Sequence, residues 1–387
     1  MPTRALRLGR GSSKVGSRRS LVGPRRSFAK PAVISLIALV ALIYCRASDA
    51  TAFYPATFQG PDGAITLTEG GNYVEPYFAT KALIIAQDGG LDIHEAAQAW
   101  IDWALLRQRP DGLFRRFCRA NASPNPNIDY AWRDCAPADA DDSMLALWMQ
   151  LLYRMAPSTG MPPEWQHSIT LAAKQLAKLR NGRLGVYHVS RLNHVALFMD
   201  NIEVYAALRD VARGQERLHD PAAAATGARA HQLDAAIQRI FWDRRTGRFR
   251  PSMQKSRPAF YPDIVAQVYP WLADVSGPGQ DPRQAWQQWR QTFGAGWIER
   301  RYDTNPWGLV ALAAEKLGDS RSAACWTSHS DSLRGGSSWN VLEEAVWQSL
   351  RAHFPQAQVL DPKACSEIWG AQESPTANAG PGIQVQP

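Results

Sequence analysis

Six short stretches of this chain stand where helices would begin, and four of them carry a carboxylate. They are Tyr73-Val74-Glu75-Pro76-Tyr77, Ala138-Asp139-Ala140-Asp141-Asp142-Ser143, Asn193-His194, Tyr261-Pro262-Asp263, Tyr302-Asp303-Thr304-Asn305-Pro306-Trp307 and Ser337-Ser338-Trp339-Asn340. Each precedes an apolar segment long enough for three or more helical turns. If those helices run parallel around an axis, their starts gather into a cavity lined by acids and aromatics. That is the equipment for cleaving a glycosidic bond. One carboxylic acid protonates the leaving oxygen, and a second carboxylate activates water or attacks directly. Aromatic faces can stack against the apolar faces of sugar rings.

Each acid also has a plainer reading as a helix cap, because helix N-termini carry free N–H groups and partial positive charge. Glu75 precedes Pro76, which suits a first helical turn. Its neighbours Tyr73 and Tyr77 would raise its pKa and suit it to general-acid work. Asp139, Asp141 and Asp142 are close enough to repel one another unless something uses them. Asp303 lies between Tyr302 and Trp307, behind Arg300 and Arg301. Asp263 follows Pro262 and suits a cap. Asp200 falls among apolar residues inside a helix, where it needs partners or lines the cavity. The expected assignment is Glu75 as acid and Asp303 as base, with Asp141 holding the distorted sugar. An inverting pair would stand roughly 6.5–9.5 Å apart. Asp142, Asp200 and Asp263 complete the expected substrate contacts. Of the 15 Trp, most belong to the core; Trp132, Trp297, Trp307 and Trp339 sit in or beside expected loops and suit sugar stacking.

Helical periodicity dominates the elements that must position these groups. It predicts helices over 73–87, 93–107, 141–155, 163–180, 193–213, 228–242, 260–274, 282–294, 305–318, 320–334 and 339–354, with a short twelfth over 361–369. Strand-like alternation is confined to connections. Residues 143–152 and 307–314 are apolar nearly all round and read as buried helices. Trp286, Trp289 and Phe293 make one stripe amid Gln and Arg, an outer-shell pattern. The alternation of the two kinds implies a double-layered ring of helical hairpins. A second repeat agrees: Asp111-Gly112-Leu113-Phe114, Asn181-Gly182-Arg183-Leu184 and Thr246-Gly247-Arg248-Phe249 each follow an amphipathic helix, with the glycines 70 and 65 residues apart. Each reads as a turn with glycine at a positive φ.

Residues 1–52 read as a basic leader. The run 31–45 is apolar, Ala50-Thr51-Ala52 fits a cleavage signal, and Arg25-Arg26-Ser27-Phe28-Ala29-Lys30 resembles the twin-arginine export signal. The chain is therefore expected to be exported, periplasmic or secreted, or held at the membrane by 31–45 if the leader stays uncut. The leader holds ten of the 43 basic residues and one of the 35 acidic ones, leaving 33 against 34, a net charge of −1 with His neutral. That balance leaves no footprint for nucleic acid. The domain is expected to span 53–371, with a disordered tail over 372–387. The four later cysteines suggest the disulfides Cys118–Cys135 and Cys325–Cys365, since the spacings of 17 and 40 do not suit a metal site. No cofactor or metal is implied, because paired His ligands, a phosphate loop and a Ser-His-Asp set are all missing. A monomer is expected.

The hairpin count, the Trp content and the acids together resemble the six-hairpin (α/α)6 toroid glycosidases. The resemblance implies an all-α (α/α)6 toroid over most of 70–355 and a polysaccharide or oligosaccharide as substrate. Three stretches are similar to glycoside hydrolase family 8. Tyr73–Tyr77 lies where that family has its Ser-Glu-Gly-Gln acid motif, with Pro76-Tyr77 in place of Gly-Gln. Asp139-Ala140-Asp141-Asp142 resembles its Asp-x-Asp motif, and Asp303–Trp307 resembles its stretch leading into Arg-x-Pro-Trp, without the Arg. A polysaccharide lyase on the same scaffold is the alternative. Asn193-His194 resembles the Asn-His of toroid alginate-type lyases, with Tyr187, His188 and Arg191 nearby; ordinary cap and helix roles for Asn193 and His194 stand beside that reading. A non-catalytic glycan-binding envelope protein is the third.

Overall fold

The computed structural model describes residues 51–120, 131–254, 257–353 and 365. The leader, the tail and most of the expected helix over 361–369 lie outside the described residues. The helices are α1 (Pro76–Asp88), α2 (His94–Leu105), α3 (Asp141–Met155), α4 (Pro163–Leu179), α5 (Phe198–Arg217), α6 (Ala223–Phe241), α7 (Tyr269–Leu272), α8 (Pro282–Ile298), α9 (Gly308–Lys316), α10 (Ser320–Ser330) and α11 (Val341–His353). α7 is the last turn of a longer irregular element that begins with helical segments at Phe260–Ile264 and Val265–Val268.

The odd-numbered helices pack in sequence: α1 on α3, α3 on α5, α5 on α7, α7 on α9, α9 on α11, and α11 back on α1. They form a closed ring of six. The even-numbered helices flank it, with α4 on α3, α6 on α5, α10 on α9, and α8 on α10. Composition explains the two layers. α3 buries every residue from Asp142 to Tyr153, so it has no wet face. α4 and α6 bury a single stripe and expose the rest. Small residues let the inner helices close up. At Gly89, just past α1, an added Cβ would lie 2.3 Å from that of Ser349 on α11, where the ring closes.

Side-chain caps occur at only some of the helix starts. Outer α8 and α10 are capped by their own aspartates: Asp281 accepts the Arg283 N–H at 3.0 Å and Asp319 accepts the Ser322 N–H at 3.2 Å. Inner α1, α3, α5 and α9 begin without a side-chain cap. Neither Glu75 nor Asp141 makes a side-chain cap hydrogen bond at its helix start. One start is corrected. Asn193 and His194 do not open a helix; they belong to a turn, and α5 begins at Phe198.

Strands are short and connect helices. β1 (Tyr73–Val74), β2 (Arg115–Cys118) and β3 (Arg133–Pro137) form an antiparallel sheet, and β4 (Trp242–Asp243) pairs with β5 (Arg248–Phe249). The turn repeat holds at Gly112 and Gly247, both at positive φ, but at the middle copy Gly185 takes that conformation instead of Gly182. Among the described residues no helix is long and apolar enough to cross a membrane.

Both expected disulfides form, Cys118–Cys135 and Cys325–Cys365. The first joins β2 to β3 across a separation of 17 residues. Closing a loop of that size removes about 3 kcal/mol of unfolded-state entropy. Replacing Cys118 and Cys135 by Ser should lower the unfolding free energy by about that amount in urea titrations; an unchanged midpoint would mean other contacts already fix the loop.

Candidate active site

A cavity of about 150 Å³ opens where the inner helices begin. Every position of the ring contributes to its wall: Tyr77 from α1, Asp139 before α3, Asp200 from α5, Tyr261 and Tyr269 from the irregular element, Asn305 and Trp307 before α9, and Asn340 and Glu343 at α11. Its volume is that of about five waters, the scale of one pyranose ring. Tyr261 and Trp307 stack at 4.8 Å between ring centres, and Tyr261 stays 48% exposed. This pair offers an aromatic surface next to the acids.

Two carboxyls reach the cavity while nearly excluded from water. Glu343 is 5% exposed, and its Oε2 accepts the Gly308 N–H at 2.7 Å. Burial raises its pKa to about 7, against the lowering effects of the Gly308 N–H and Lys81. Position 308 must be glycine: a Cβ there would come within 2.5 Å of that oxygen. Asn340 places Glu343 in the first turn by accepting the Leu342 and Glu343 N–H groups at 2.9 and 3.1 Å. Asp200 is 9% exposed, and its Oδ2 has no hydrogen-bond partner among the described residues. Burial raises its pKa to about 8, reinforced by Glu203 and Asp139 and opposed by Lys81.

Behind the wall lies a network that fixes these groups. Buried Lys81 pairs with Glu203, donates to the Tyr77 hydroxyl at 2.8 Å, and sits 4.6 Å from the centre of the Tyr269 ring. Tyr77 in turn donates to Glu203 at 2.7 Å. Two wall tyrosines are thus held through one ion pair. Asp142, fully buried, has its pKa pushed well up by burial and by Asp200.

A second cavity of about 290 Å³ shares Asp139 with the first and is lined by Arg109, Asp111, Arg115, Asp141, Arg191 and Asn193 among others. Asp141 therefore faces this space rather than the central one, and burial and Asp111 raise its pKa to about 6. A larger open groove of about 560 Å³ beside Trp242 and α8 takes no residue from an inner helix start.

Neither Glu75 nor Asp303, the expected pair, lines the central cavity. Glu75 is 2% exposed and its carboxylate turns to Arg116, whose other arm holds Asp139 at 2.7 Å. Asp303 folds onto its own turn, accepting the Asn305 N–H at 3.0 Å. Asp263 likewise accepts the Ala259 N–H at 3.0 Å, and Asp142 sits behind the wall. Of the expected platforms, Trp307 alone lines the central cavity. Trp339 and Trp297 are core residues. Trp132 donates to Asp62 at 2.8 Å and lies under Arg119. His194 stacks on His188 at 5.3 Å, and Tyr187 is buried. The sequence reading missed Glu343, Lys81, Glu203 and Tyr269. A signal existed for Glu343, which follows Trp339-Asn340 by three residues at the sixth helix start. Lys81 and Glu203 gave none, because ordinary helix interiors contain such residues.

No known family's model matches the sequence, and no curated protein matches it. Among solved structures, the chain is similar to an α-amylase from Clostridium perfringens, with 10% identity over 77% of this chain and 95% of that one and a TM-score of 0.51. It is also similar to a glycosidase variant in complex with glucose, with 13% identity over 77% of this chain and 93% of that one and a TM-score of 0.50. At such identities the likeness is one of fold: an all-α (α/α) toroid.

Asp200 and Glu343 are more basic folded than unfolded, so the folded state holds their protons more tightly. Their stabilising contribution is complete below about pH 4 and is lost as pH rises through 7 to 8. The melting temperature should therefore fall between about pH 5 and pH 8. Glu343→Gln should flatten that fall and, at the alkaline end, be ~3 kcal/mol more stable than its behaviour at low pH implies. Parallel pH–stability curves for the variant and the parent protein would refute the buried-carboxyl account.

Proposed function

We propose that this protein is an exported glycoside hydrolase that inverts configuration, with Asp200 as general acid and Glu343 as general base. One observation carries the reading: α5 and α11 stand three places apart in a ring of six, so their carboxyls occupy opposite walls of one aromatic-lined cavity. Opposed placement leaves room for a water between sugar and base, as inversion requires.

The roles follow from the environments. Asp200, with its pKa near 8, is protonated at neutral pH and can give its proton to the glycosidic oxygen as the C1–O bond breaks. Glu343 accepts the Gly308 N–H, which favours its ionised form, and takes a proton from the water whose oxygen bonds to C1 from the far side. The products are an alcohol and an inverted hemiacetal, with one water consumed. Tyr261 and Trp307 hold the ring face. Asn305 and Asn340 supply amide hydrogen bonds to hydroxyls.

The two disulfides are compatible with an oxidising, extracellular setting and support export. Of the acids in the stretches similar to family 8, Asp139 and Asp141 line a cavity while Glu75 and Asp303 line neither, so the reading rests on the ring and not on that resemblance. The lyase alternative is weaker here, since His194 is turned onto His188 and Tyr187 is buried away from both cavities.

The test is release of reducing ends from a panel of α- and β-linked glycans, with product anomers followed by proton NMR. Asp200→Asn and Glu343→Gln should each cut kcat/KM about 10²–10⁴-fold, while the first-formed anomer of the parent protein is inverted. Retained activity in both variants, or a retained anomer, would overturn the assignment.

A further inference from the structure

The two cavities differ in charge. The central one is walled by Asp139, Asp200 and Glu343, and its buried cation, Lys81, is committed to Glu203 behind the wall. A sugar carrying a carboxylate would meet no cationic side chain in that wall. The second cavity presents three guanidinium groups, from Arg109, Arg115 and Arg191, beside the carboxyls of Asp111, Asp139 and Asp141. They are not equally engaged. Arg109 is held by Asp111 at 3.3 Å and Asp134 at 4.0 Å. Arg115 lies 3.7 Å from Asp134, beyond hydrogen-bond reach, and its buried Nε has no hydrogen-bond partner among the described residues. Arg191 pairs with no acid among the described residues.

The turn that presents Arg191 is braced. The Ser190 hydroxyl accepts the Leu192 and Asn193 N–H groups at 3.3 and 3.0 Å, and the His194 ring nitrogen lies 2.9 Å from the Arg191 carbonyl. The backbone is thus fixed while the guanidinium stays available. A planar, permanently charged guanidinium matches a carboxylate through two parallel hydrogen bonds.

We propose that the second cavity receives a carboxylate-bearing sugar unit, so that the substrate is an acidic saccharide whose uncharged ring enters the central cavity. Opposite charge preferences in adjoining cavities would then fix the direction in which the chain lies, with Asp139 at the boundary. This rests on the glycosidase reading for its site but is tested by binding, which needs no turnover. Asp141 adds to it: with a pKa near 6 it is partly protonated under mildly acidic conditions and can donate to the same carboxylate.

The experiment is calorimetric titration of the purified full chain with short oligosaccharides that join a uronate unit to uncharged sugar units, against cello- and malto-oligosaccharides of equal length. At least one acidic oligomer should bind about ten-fold or more tighter than the neutral ones, a difference of ~1.4 kcal/mol, and added salt should narrow the gap. Arg191→Gln, at an exposed turn, should erase most of the preference without moving the melting temperature. Arg115→Gln should do the same. Equal binding of acidic and neutral oligomers, or a preference that survives both variants, overturns the proposal. Hydrolysis of neutral glycans alongside indifferent binding would sink this inference and leave the hydrolase standing. Selective, Arg191-dependent binding with no bond cleavage would do the reverse. An unsaturated product absorbing in the ultraviolet would uphold the acidic saccharide and move the chemistry to elimination.

Discussion

Six helices that start at one end of a ring bring six sets of unsatisfied N–H groups, each with a partial positive charge of about half a unit, into the same small volume. Something negative must answer them. On the outer layer Asp281 and Asp319 do so locally, as caps on their own helices. On the inner layer α1, α3, α5 and α9 carry no such cap. The answer comes instead from across the ring, as when Glu343 on α11 accepts the N–H of Gly308 at the start of α9. This shared debt of backbone donors is what permits Asp139, Asp142, Asp200, Glu203 and Glu343 to crowd around one point.

The compensation is incomplete, and the shortfall has chemical use. Helix dipoles and Lys81 do not offset the cost of burying so many carboxylates, so protons stay on Asp200 and Glu343 well above the ordinary carboxylate range. A proton held near neutrality is a proton ready for transfer. The same Lys81 ties Tyr77 and Tyr269 into the wall. One buried cation therefore limits the repulsion among the acids and positions the aromatic surface facing them. Removing it would disturb both at once, which is why a lysine persists in an otherwise apolar helix face.

The architecture was legible because it rests on periodicity. Helices apolar all round had to lie inside and helices with one apolar stripe outside, and the alternation of the two along the chain dictated a double ring. The starts of the inner helices were legible too, from Pro76, Asp141 and Asn340. Which side chains face the cavity was not. Glu75 and Glu343 occupy similar places at helix starts beside aromatics, and sequence offers no way to know that Arg116, from the edge of a small sheet, reaches one and not the other. Nor does sequence show that Asp303 accepts the Asn305 N–H within its own turn and lies off the cavity wall. The 193–194 pair was misread as a helix start because the turn at 190–194 and α5 run together in an unbroken polar-to-apolar gradient.

Glu75 also limits what an elevated pKa can be made to mean. Burial lifts it to about 7, the same level as Glu343. Desolvation alone would nominate both as catalytic. What separates them is what lies in front of each carboxylate. Glu343 borders the cavity. Glu75 borders Arg116, which it anchors so that the other end of the guanidinium holds Asp139 at the wall between the two cavities. Burial opposes the charge on Glu75 and outweighs the pull of Arg116, so the ion pair is complete only as pH rises past about 7. Glu75 thus bears on the chemistry by fixing the boundary at which a bound saccharide passes from the acidic cavity to the arginine-lined one.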